Sequence, residues 1–319
     1  ARKPLGVPGK LLVSIAAIWS LFQLWIASPL PYIVGFGVFS ATEARSIHLA
    51  FALFLAFMAY PAFKRSPRDR VPLADWVLAA VAAFCGAYLF IFYADLAQRP
   101  GLPITQDIVV GVVGILMLLE ATRRALGPPL MVVAAVFIAY SLFGPYMPGI
   151  LAHRGVSLGG LINHQWLGTQ GVFGIALGVS TSFVFLFVLF GALLDKAGAG
   201  NYFIKVAFSL LGHFKGGPAK AAVVASGMTG LISGSSIANT VTTGTFTIPM
   251  MKRVGFSAEK AGAVEVSSSV NGQIMPPVMG AAAFLMVEYV GIPYVDVIKH
   301  AFLPALISYI ALIYIVHLE

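Results

Sequence analysis

Long apolar runs separated by short polar loops recur along this sequence and constrain its fold more than any other feature. A run of about 20 apolar residues lets a helix cross the hydrocarbon layer of a membrane. On this basis we count runs at residues 11–28, 47–63, 73–93, 108–119, 130–146, 173–194 and 295–316. Only 10% of the residues are charged, whereas a soluble domain carries about 25%. The sequence therefore predicts an all-α, polytopic integral membrane protein embedded in a lipid bilayer.

The basic residues of the loops predict the orientation of the chain. They form three clusters, which are Arg2, Lys3 and Lys10, then residues 64–70, then Arg123 and Arg124. Short loops that carry excess Lys and Arg lie on the cytoplasmic side of a membrane. We therefore predict a cytoplasmic N-terminus. The net charge of +8 is explained by this topology and does not indicate a nucleic-acid partner.

One apolar segment, residues 227–249, is interrupted by the sequence Ser-Gly-Ser-Ser and then carries an asparagine and five threonines. Backbone that is not helical is tolerated at membrane depth only where protein buries it or where it lines a wet cavity. The segment has basic residues on both flanks, which are Lys215, Lys220, Lys252 and Arg253. Positive charge at both ends indicates that the chain enters and leaves on one side. We predict a re-entrant helical hairpin over 217–252 with its tip at this interruption.

A second interruption follows at residues 267–277, where three serines precede the sequence Val-Asn-Gly-Gln-Ile-Met-Pro-Pro. The apolar pattern resumes beyond the prolines, so we predict one broken helix over 257–290. Two broken apolar helices that carry hydroxyls and amides are the sequence pointer to the substrate and ion site of a transporter.

Two further segments are too short or too polar to span a membrane. Residues 201–211 make only about three helical turns, and we expect them to lie along the inner interface as an arm. Residues 150–171 are polar, but Leu161, Ile162 and Trp166 share one helical face with two other leucines, so we expect an interfacial helix there.

Each interruption leaves backbone groups without helical partners. Carbonyls at the end of one half-helix can hold a bare cation, and N–H groups at the start of the next can hold an anion. Pro276 and Pro277 lack a backbone donor, so we expect free carbonyls near Gly272 and Gln273. Neutral oxygens of this kind suit sodium.

A packing role is the alternative for these polar residues. Serine, threonine and glycine let transmembrane helices approach closely, and this is the simpler role for any single hydroxyl. Two interruptions within about 45 residues favour a site instead. Glu265 is the one acid well inside this region, and we interpret it as a paired structural acid. Because there is no cluster of carboxylates, we do not expect a proton relay.

Other classes of function find little support. The sequence has no nucleophile-elbow motif and no phosphate loop, so we do not expect an enzyme. Cys85 stands alone, which excludes a disulfide framework, and neither His153 nor His164 has an acid or a cysteine at metal-ligand spacing. A channel or a membrane assembly protein with no solute of its own is the alternative, although no filter sequence is evident.

Several motifs resemble the large membrane subunit of tripartite ATP-independent periplasmic (TRAP) transporters. They are ISGSSIANTVTTGTFTIPMMKRVGFSAEKAGAVE and NGQIMPPVMGAAAF. The sequences LGHFKGGPAKAAVVAS, GVSTSFVFLFVLFGALLDKAGAGNYF and LLEATRRALGPPL look most like the TAXI branch, in which the small and large membrane subunits are fused. The resemblance is most specific over residues 107–290.

The resemblance implies a function, partners and a division of the chain. It implies sodium-driven uptake of small carboxylate-type solutes across the bacterial inner membrane, with a periplasmic binding protein that delivers the solute. No cofactor beyond the coupling ion is implied. Residues 1–126 would be the four-helix small-subunit part and residues 127–319 the first half of the large subunit, with an elevator-like movement.

The same resemblance implies site residues. The sodium site would comprise Ser233, Gly234, Ser235, Ser236 and Asn239 of the hairpin with Asn271, Gly272, Ile274 and Pro276 of the broken helix, largely through backbone carbonyls. We expect four polar residues beside the interruptions to contact the solute, namely Thr240, Thr243, Ser268 and Gln273. The family has two inverted repeats and this sequence holds one, so we expect the second repeat to come from a longer chain or another chain.

Overall fold

The computed structural model describes residues 2, 4, 6–63 and 65–319. Over this part the chain is helical and contains no strand, which confirms the all-α prediction there. The chain divides into two compact units, Ala1–Ser182 and Phe183–Glu319, called here the first and second units. The division inferred at residue 126 stays a prediction.

The helices follow the apolar runs closely. In the first unit they are α1 (Val7–Ala27), α2 (Leu30–Val34), α3 (Ala41–Ala59), α4 (Leu73–Ile91), α5 (Tyr93–Gln98), α6 (Thr105–Leu126), α7 (Pro128–Phe143), α8 (Leu158–Ile162) and α9 (Ile175–Val179). In the second they are α10 (Phe185–Lys196), α11 (Ala199–Leu211), α12 (Gly217–Ser233), α13 (Ser236–Arg253), α14 (Ala258–Asn271), α15 (Ala281–Val290) and α16 (Tyr294–Leu318).

Among the described residues, six helical segments are long and apolar enough to cross a membrane. They are Val7–Ala27, Ala41–Ala59, Leu73–Ile91, Pro128–Tyr146, Ile175–Lys196 and Tyr294–Leu318. Each coincides with a predicted run, and α7 buries none of its side chains. Apolar surface of this extent has to be covered by lipid or protein, so the chain is a multi-pass membrane protein. The predicted run 108–119 lies inside α6, which carries charged residues at both ends and is not one of the six.

The core of the first unit forms where α3, α4 and α6 pack together. Gly86 of α4 lies against the backbone of Ala50, where an added Cβ would approach within 3.0 Å of the Ala50 Cα atom. Ser46 donates a hydrogen bond of 2.7 Å to the Gly86 carbonyl at the same crossing. The two helices can approach this closely because glycine has no side chain. Phe57 and Tyr88 fill the space beside the crossing and are fully buried.

The helix expected over 150–171 is shorter than predicted. The segment contains the end of a 3-10 turn, Gly149–Leu151, and one continuous helix made of α8 and a π-helical turn, Asn163–Leu167. Ile162 and Trp166 are 1% and 0% exposed and belong to the core. The physical reason lies on α6, where a Cβ at Gly111 or Gly114 would overlap these side chains. These side chains therefore pack on protein, whereas Leu151 and Leu158 of the same predicted face are exposed, and the interfacial position of the segment stays a prediction.

A buried ion-pair network lies in the first unit. Asp75 accepts from Arg2 at 2.6 Å and from Arg124 at 2.8 Å, and all three side chains are nearly inaccessible. Arg124 also pairs with the half-buried Glu120 at 2.7 Å. Because the two guanidinium groups share one carboxylate, the loss of Asp75 would leave buried positive charge without its partner.

In the second unit, α12 packs between α11, α13 and α14, and α16 covers α12 and α14. The predicted arm is α11, whose 13 residues extend over about 20 Å. Its end at Gly212 and the left-handed Gly216 (φ 68°) lead into α12. Both predicted interruptions are present, one between α12 and α13 and one between α14 and α15.

We predict that Asp75→Asn destabilises the protein by about 3–5 kcal/mol, because it removes one partner from a buried ion pair. The matched control is Asp296→Asn, which breaks an exposed pair with Lys299 and should cost about 0–1 kcal/mol. Thermal denaturation in detergent measures both. Equal midpoints for the two variants would show that the Asp75 network contributes no more than a surface pair.

Candidate functional site

The first interruption is a sharp turn centred on Gly234. The helix α12 ends at Ser233, and α13 begins at Ser236 with the Ser235 hydroxyl accepting from the backbone N–H of Ala238 at 3.3 Å. Gly234 has φ 58°, a left-handed conformation that side chains disfavour. A Cβ at this position would also overlap the carbonyl oxygen of Met279. Both the conformation and the space therefore require glycine.

The second interruption leaves fewer free backbone groups than the sequence predicts. After α14 ends at Asn271, one 3-10 turn covers Gly272–Ile274, and the Pro276–Pro277 peptide bond is cis. The carbonyl of Gly272 accepts from the N–H of Met275 at 3.2 Å, and that of Gln273 accepts from Gly280 at 2.6 Å. The expectation of free carbonyls at Gly272 and Gln273 is therefore wrong, because Met275 before the prolines and Gly280 beyond them supply the donors.

The two interruptions lie directly against each other. A Cβ at Gly230 of α12 would be 2.7 Å from the Cα atom of Gly272, so the two backbones touch. The Gln273 side chain donates a hydrogen bond of 2.7 Å to the Ser236 hydroxyl. The turn between α12 and α13 and the interruption after α14 are thus in contact, although 37 residues separate this hydrogen-bonded pair.

Asn239 provides an unused oxygen atom beside this contact. Its amide nitrogen donates to the Ser226 carbonyl at 2.9 Å and to the Ser226 hydroxyl at 3.1 Å. Its Oδ1 atom is buried and has no hydrogen-bond partner, the single such atom among the described residues of the second unit. Buried polar atoms are nearly always satisfied, so a buried amide oxygen left over at a helix interruption fits a bound cation.

The remaining predicted site residues divide between the surface of the site and its interior. Ser235, Gln273 and Ile274 are exposed; Ser233, Ser236, Thr240 and Asn271 are half-buried; Gly272, Pro276, Thr243 and Ser268 are buried. The Thr240 hydroxyl donates to the Ser236 carbonyl at 2.8 Å, and the Ser268 hydroxyl to the Val264 carbonyl at 2.8 Å. These two hydroxyls are thus engaged with their own helices.

Glu265 is surrounded by hydroxyl groups and not by a basic partner. It is fully buried and contacts Thr243, Thr247 at 2.5 Å and Ser269 at 3.2 Å. No ion pair reaches it from any described residue. The interpretation of Glu265 as a paired acid is therefore wrong. The spacing of two threonines four residues apart on one helix was the signal that could have revealed this cluster.

A cavity of about 760 Å³ opens beside the two interruptions. Ser235 and Gln273 contribute polar groups, Met286 and a run of alanines contribute apolar surface, and His300 is the single titratable residue in its lining. This volume lies within the range of about 300–1,000 Å³ for small-molecule sites. No group of three or more metal-ligating side chains occurs in the described part of the chain.

Helix interruptions packed against each other in a multi-pass membrane protein are typical of a transporter permease. The family model described as "Tripartite ATP-independent periplasmic transporter, DctM component" matches residues 113–319. Since this is more than half of the chain, the protein belongs to that family of membrane permeases. The prediction that it is not an enzyme is thereby confirmed.

Curated relatives give the same result over shorter lengths. The chain is 35% identical over 91 residues to the C4-dicarboxylate TRAP transporter large permease protein DctM of Vibrio cholerae, covering 28% of this chain and 20% of the relative. It is 28% identical over 91 residues to the 2,3-diketo-L-gulonate TRAP transporter large permease protein YiaN of Escherichia coli, covering 28% and 21%. It is 28% identical over 95 residues to the ectoine TRAP transporter large permease protein TeaC of Halomonas elongata, covering 30% and 22%.

The chain thus spans about a fifth of the length of the curated relatives that it matches. No solved structure matches it significantly.

We predict that Gly230→Ala destabilises the protein by about 1–3 kcal/mol, because the new methyl group would force the hairpin and the broken helix apart. Gly262→Ala in α14 is the matched control, since a Cβ there meets nothing within 4 Å. This control should be neutral or gain up to about 1 kcal/mol of helix propensity. Thermal denaturation in detergent compares them. A Gly230→Ala protein as stable as the control would contradict the close contact.

Proposed function

We propose that this protein is the permease component of a sodium-coupled secondary transporter that takes up small organic, carboxylate-type solutes. A periplasmic binding protein delivers the solute, as the family description implies. The observation that carries the proposal is the contact between two helix interruptions that leaves one buried amide oxygen, Asn239 Oδ1, unused. Transporters of broken-helix type bind their ions and substrates at such interruptions.

The sodium ion lies between the hairpin turn and the broken helix. Asn239 Oδ1 supplies one neutral oxygen, and backbone carbonyls of residues 233–236 and 271–276 supply others. The Gly272 and Gln273 carbonyls each keep one lone pair beyond the hydrogen bond that they accept. Neutral oxygens on a dehydrated site suit a monovalent cation, and the lack of a carboxylate in direct contact lets sodium leave again.

The solute occupies the cavity beside the interruptions. Its polar residues Ser235 and Gln273 lie on the side of the bound ion, and the backbone N–H groups at the start of α13 favour an anionic group. His300 adds a second polar anchor on the opposite lining helix, α16. Relatives named for C4-dicarboxylate and for 2,3-diketo-L-gulonate agree with a small carboxylate as the solute class. Thr240, Thr243 and Ser268, which we also expected to contact the solute, are not among the residues that line this cavity.

The finer architecture belongs to the same proposal. Residues 217–252 form a re-entrant hairpin and residues 257–290 a broken helix within one inverted repeat. This repeat moves in elevator fashion against scaffold helices, and the second repeat completes the site. The chain is of the TAXI type, with a small-subunit part at 1–126 and a large-subunit part at 127–319. It lies in the bacterial inner membrane with its N-terminus in the cytoplasm.

Solute uptake into proteoliposomes tests the proposal. The full-length protein with its periplasmic binding protein should accumulate a small carboxylate when sodium is higher outside, and should fail to do so in potassium. Flux that needs neither sodium nor the binding protein would favour a channel. Membrane insertion with no flux of any solute would favour an assembly protein.

We also predict that Ser235→Leu and Asn271→Leu abolish sodium-dependent uptake while the protein still inserts into the membrane. The bulky apolar side chains would fill the space between the two interruptions and remove polar groups from it. Ser209→Leu and Asn201→Leu are the matched controls, since both residues are exposed on α11, and they should transport normally. Unchanged sodium affinity in both site variants would assign Ser235 and Asn271 to packing.

A further inference from the structure

Glu265 is a buried acid for which the proposed sodium and solute sites give no role. It lies in α14 with no exposed surface, enclosed by α13 on one side. A carboxylate buried without a cation is costly, and ionisable residues inside membranes mark ion or proton sites more often than structural positions. The residue therefore needs a function that uses its charge.

The hydroxyl groups around Glu265 can satisfy it in either protonation state. The Thr243 hydroxyl lies 2.8 Å from the Asn239 carbonyl oxygen as well as in contact with Glu265 Oε1. The Thr247 hydroxyl lies 3.0 Å from the Thr243 carbonyl oxygen and 2.5 Å from Glu265 Oε2. Each hydroxyl has a single proton, so it can donate to its helix carbonyl or to Glu265, but not to both.

Two hydrogen-bond patterns follow from this proton count. When Glu265 is ionised, both threonines and Ser269 donate to its oxygens. When it is a neutral carboxyl, its own O–H donates to one threonine, and that threonine donates to the carbonyl one turn earlier. The change requires only rotation of hydroxyl hydrogens, because all the heavy atoms already lie within hydrogen-bond distance. One side-chain arrangement thus accepts a proton and releases it.

A chain of hydrogen bonds connects Glu265 to the proposed cation site. Ser269 lies 3.2 Å from Glu265 Oε1 and 3.2 Å from the Ser226 hydroxyl. Ser226 in turn accepts from the Asn239 amide nitrogen at 3.1 Å. A change of charge on Glu265 therefore reorients the groups that hold Asn239, whose free Oδ1 is the candidate ligand for sodium.

The elements around Glu265 bring no compensating charge to it. Tyr309 of α16 is a titratable group that interacts electrostatically with Glu265, and its hydroxyl donates to the Ser268 carbonyl at 2.8 Å. The other charged or titratable groups of the packed elements are Glu259 and Lys260 on α14, Lys252 and Arg253 on α13, Lys220 on α12, and Tyr294, Asp296, Lys299, His300, Tyr314 and His317 on α16. None of them is hydrogen-bonded to or ion-paired with Glu265.

We propose that Glu265 is a proton-binding site that takes up one proton from water, becoming a neutral carboxyl, and releases it again during each transport cycle. The release step rests on the proposed function, since a cycle is needed to open the site. With no exposed surface, Glu265 exchanges its proton only when α13 and α14 separate. The proton is then a second coupling ion beside sodium.

Infrared difference spectroscopy on the full-length protein tests the proton site without requiring transport. We expect a carbonyl band of a protonated carboxyl that disappears reversibly as the pH rises, and we expect Glu265→Gln to lose it. Glu288→Gln is the matched control, since Glu288 is exposed on α15, and it should keep the band. A wild-type protein with no titrating band, or a band that survives in Glu265→Gln, would overturn the proposal.

A second variant covers the case in which Glu265→Gln does not fold. The double substitution of Thr243 and Thr247 by valine keeps the side-chain shape and the carboxyl, so the band should remain but shift in frequency. An unshifted band would overturn the arrangement inferred here.

Uptake measured with and without a proton gradient shows whether a failure lies in the proton-site proposal or in the proposed function. An inward proton gradient should accelerate sodium-dependent uptake in the wild type and not in Glu265→Gln. Sodium-dependent uptake whose rate does not change with the proton gradient would overturn the role of Glu265 in coupling while leaving the proposed function intact. A titrating band in a protein without sodium-dependent uptake would contradict the proposed function and leave the proton site standing.

Discussion

Backbone hydrogen bonding in an apolar environment is the constraint on which the site depends. A helix that stops within a membrane leaves N–H and C=O groups that lipid cannot satisfy. At the two interruptions of the second unit, the chain itself satisfies three of them, through the Ser235 cap and the turn that uses the Gly272 and Gln273 carbonyls. Beside these groups lies a buried side-chain oxygen without a hydrogen-bond partner, Asn239 Oδ1. The cation site that we propose is thus built on an amide side chain as well as on backbone.

Glycine determines how near the functional groups come to one another. Gly230 and Gly272 bring α12 and the broken helix into backbone contact, and Gly234 lets the hairpin turn lie on the Met279 carbonyl. The same close packing places Ser226 beside Ser269 and completes the hydrogen-bonded chain from Asn239 to Glu265. The proposed solute cavity, cation ligand and proton site thus all lie along the packed helices α12, α13 and α14. Movement of α13 against α14 would act on all three.

Sequence reasoning located the elements well and their contacts poorly. Run length, glycine and proline fixed the positions of the helices and of both interruptions, because these signals are local. The use of the Gly272 and Gln273 carbonyls, the hydroxyl partners of Glu265 and the burial of Trp166 depend on residues that are neighbours only after folding. Ser226 and Ser269, for example, are separated by 43 positions. No local pattern indicates such a contact. The Thr243–Thr247 spacing did indicate one part of a different cluster, the hydroxyl groups around Glu265.

Sodium binding to the folded protein tests the central claim most directly. A ligand that binds only the native state at 100 times its dissociation constant stabilises it by about 2.7 kcal/mol. The account predicts that the thermal midpoint in detergent rises with sodium, relative to choline at the same ionic strength, and that Asn239→Leu removes the rise. Equal midpoints in sodium and choline for the wild-type protein, or an undiminished rise in Asn239→Leu, would contradict it.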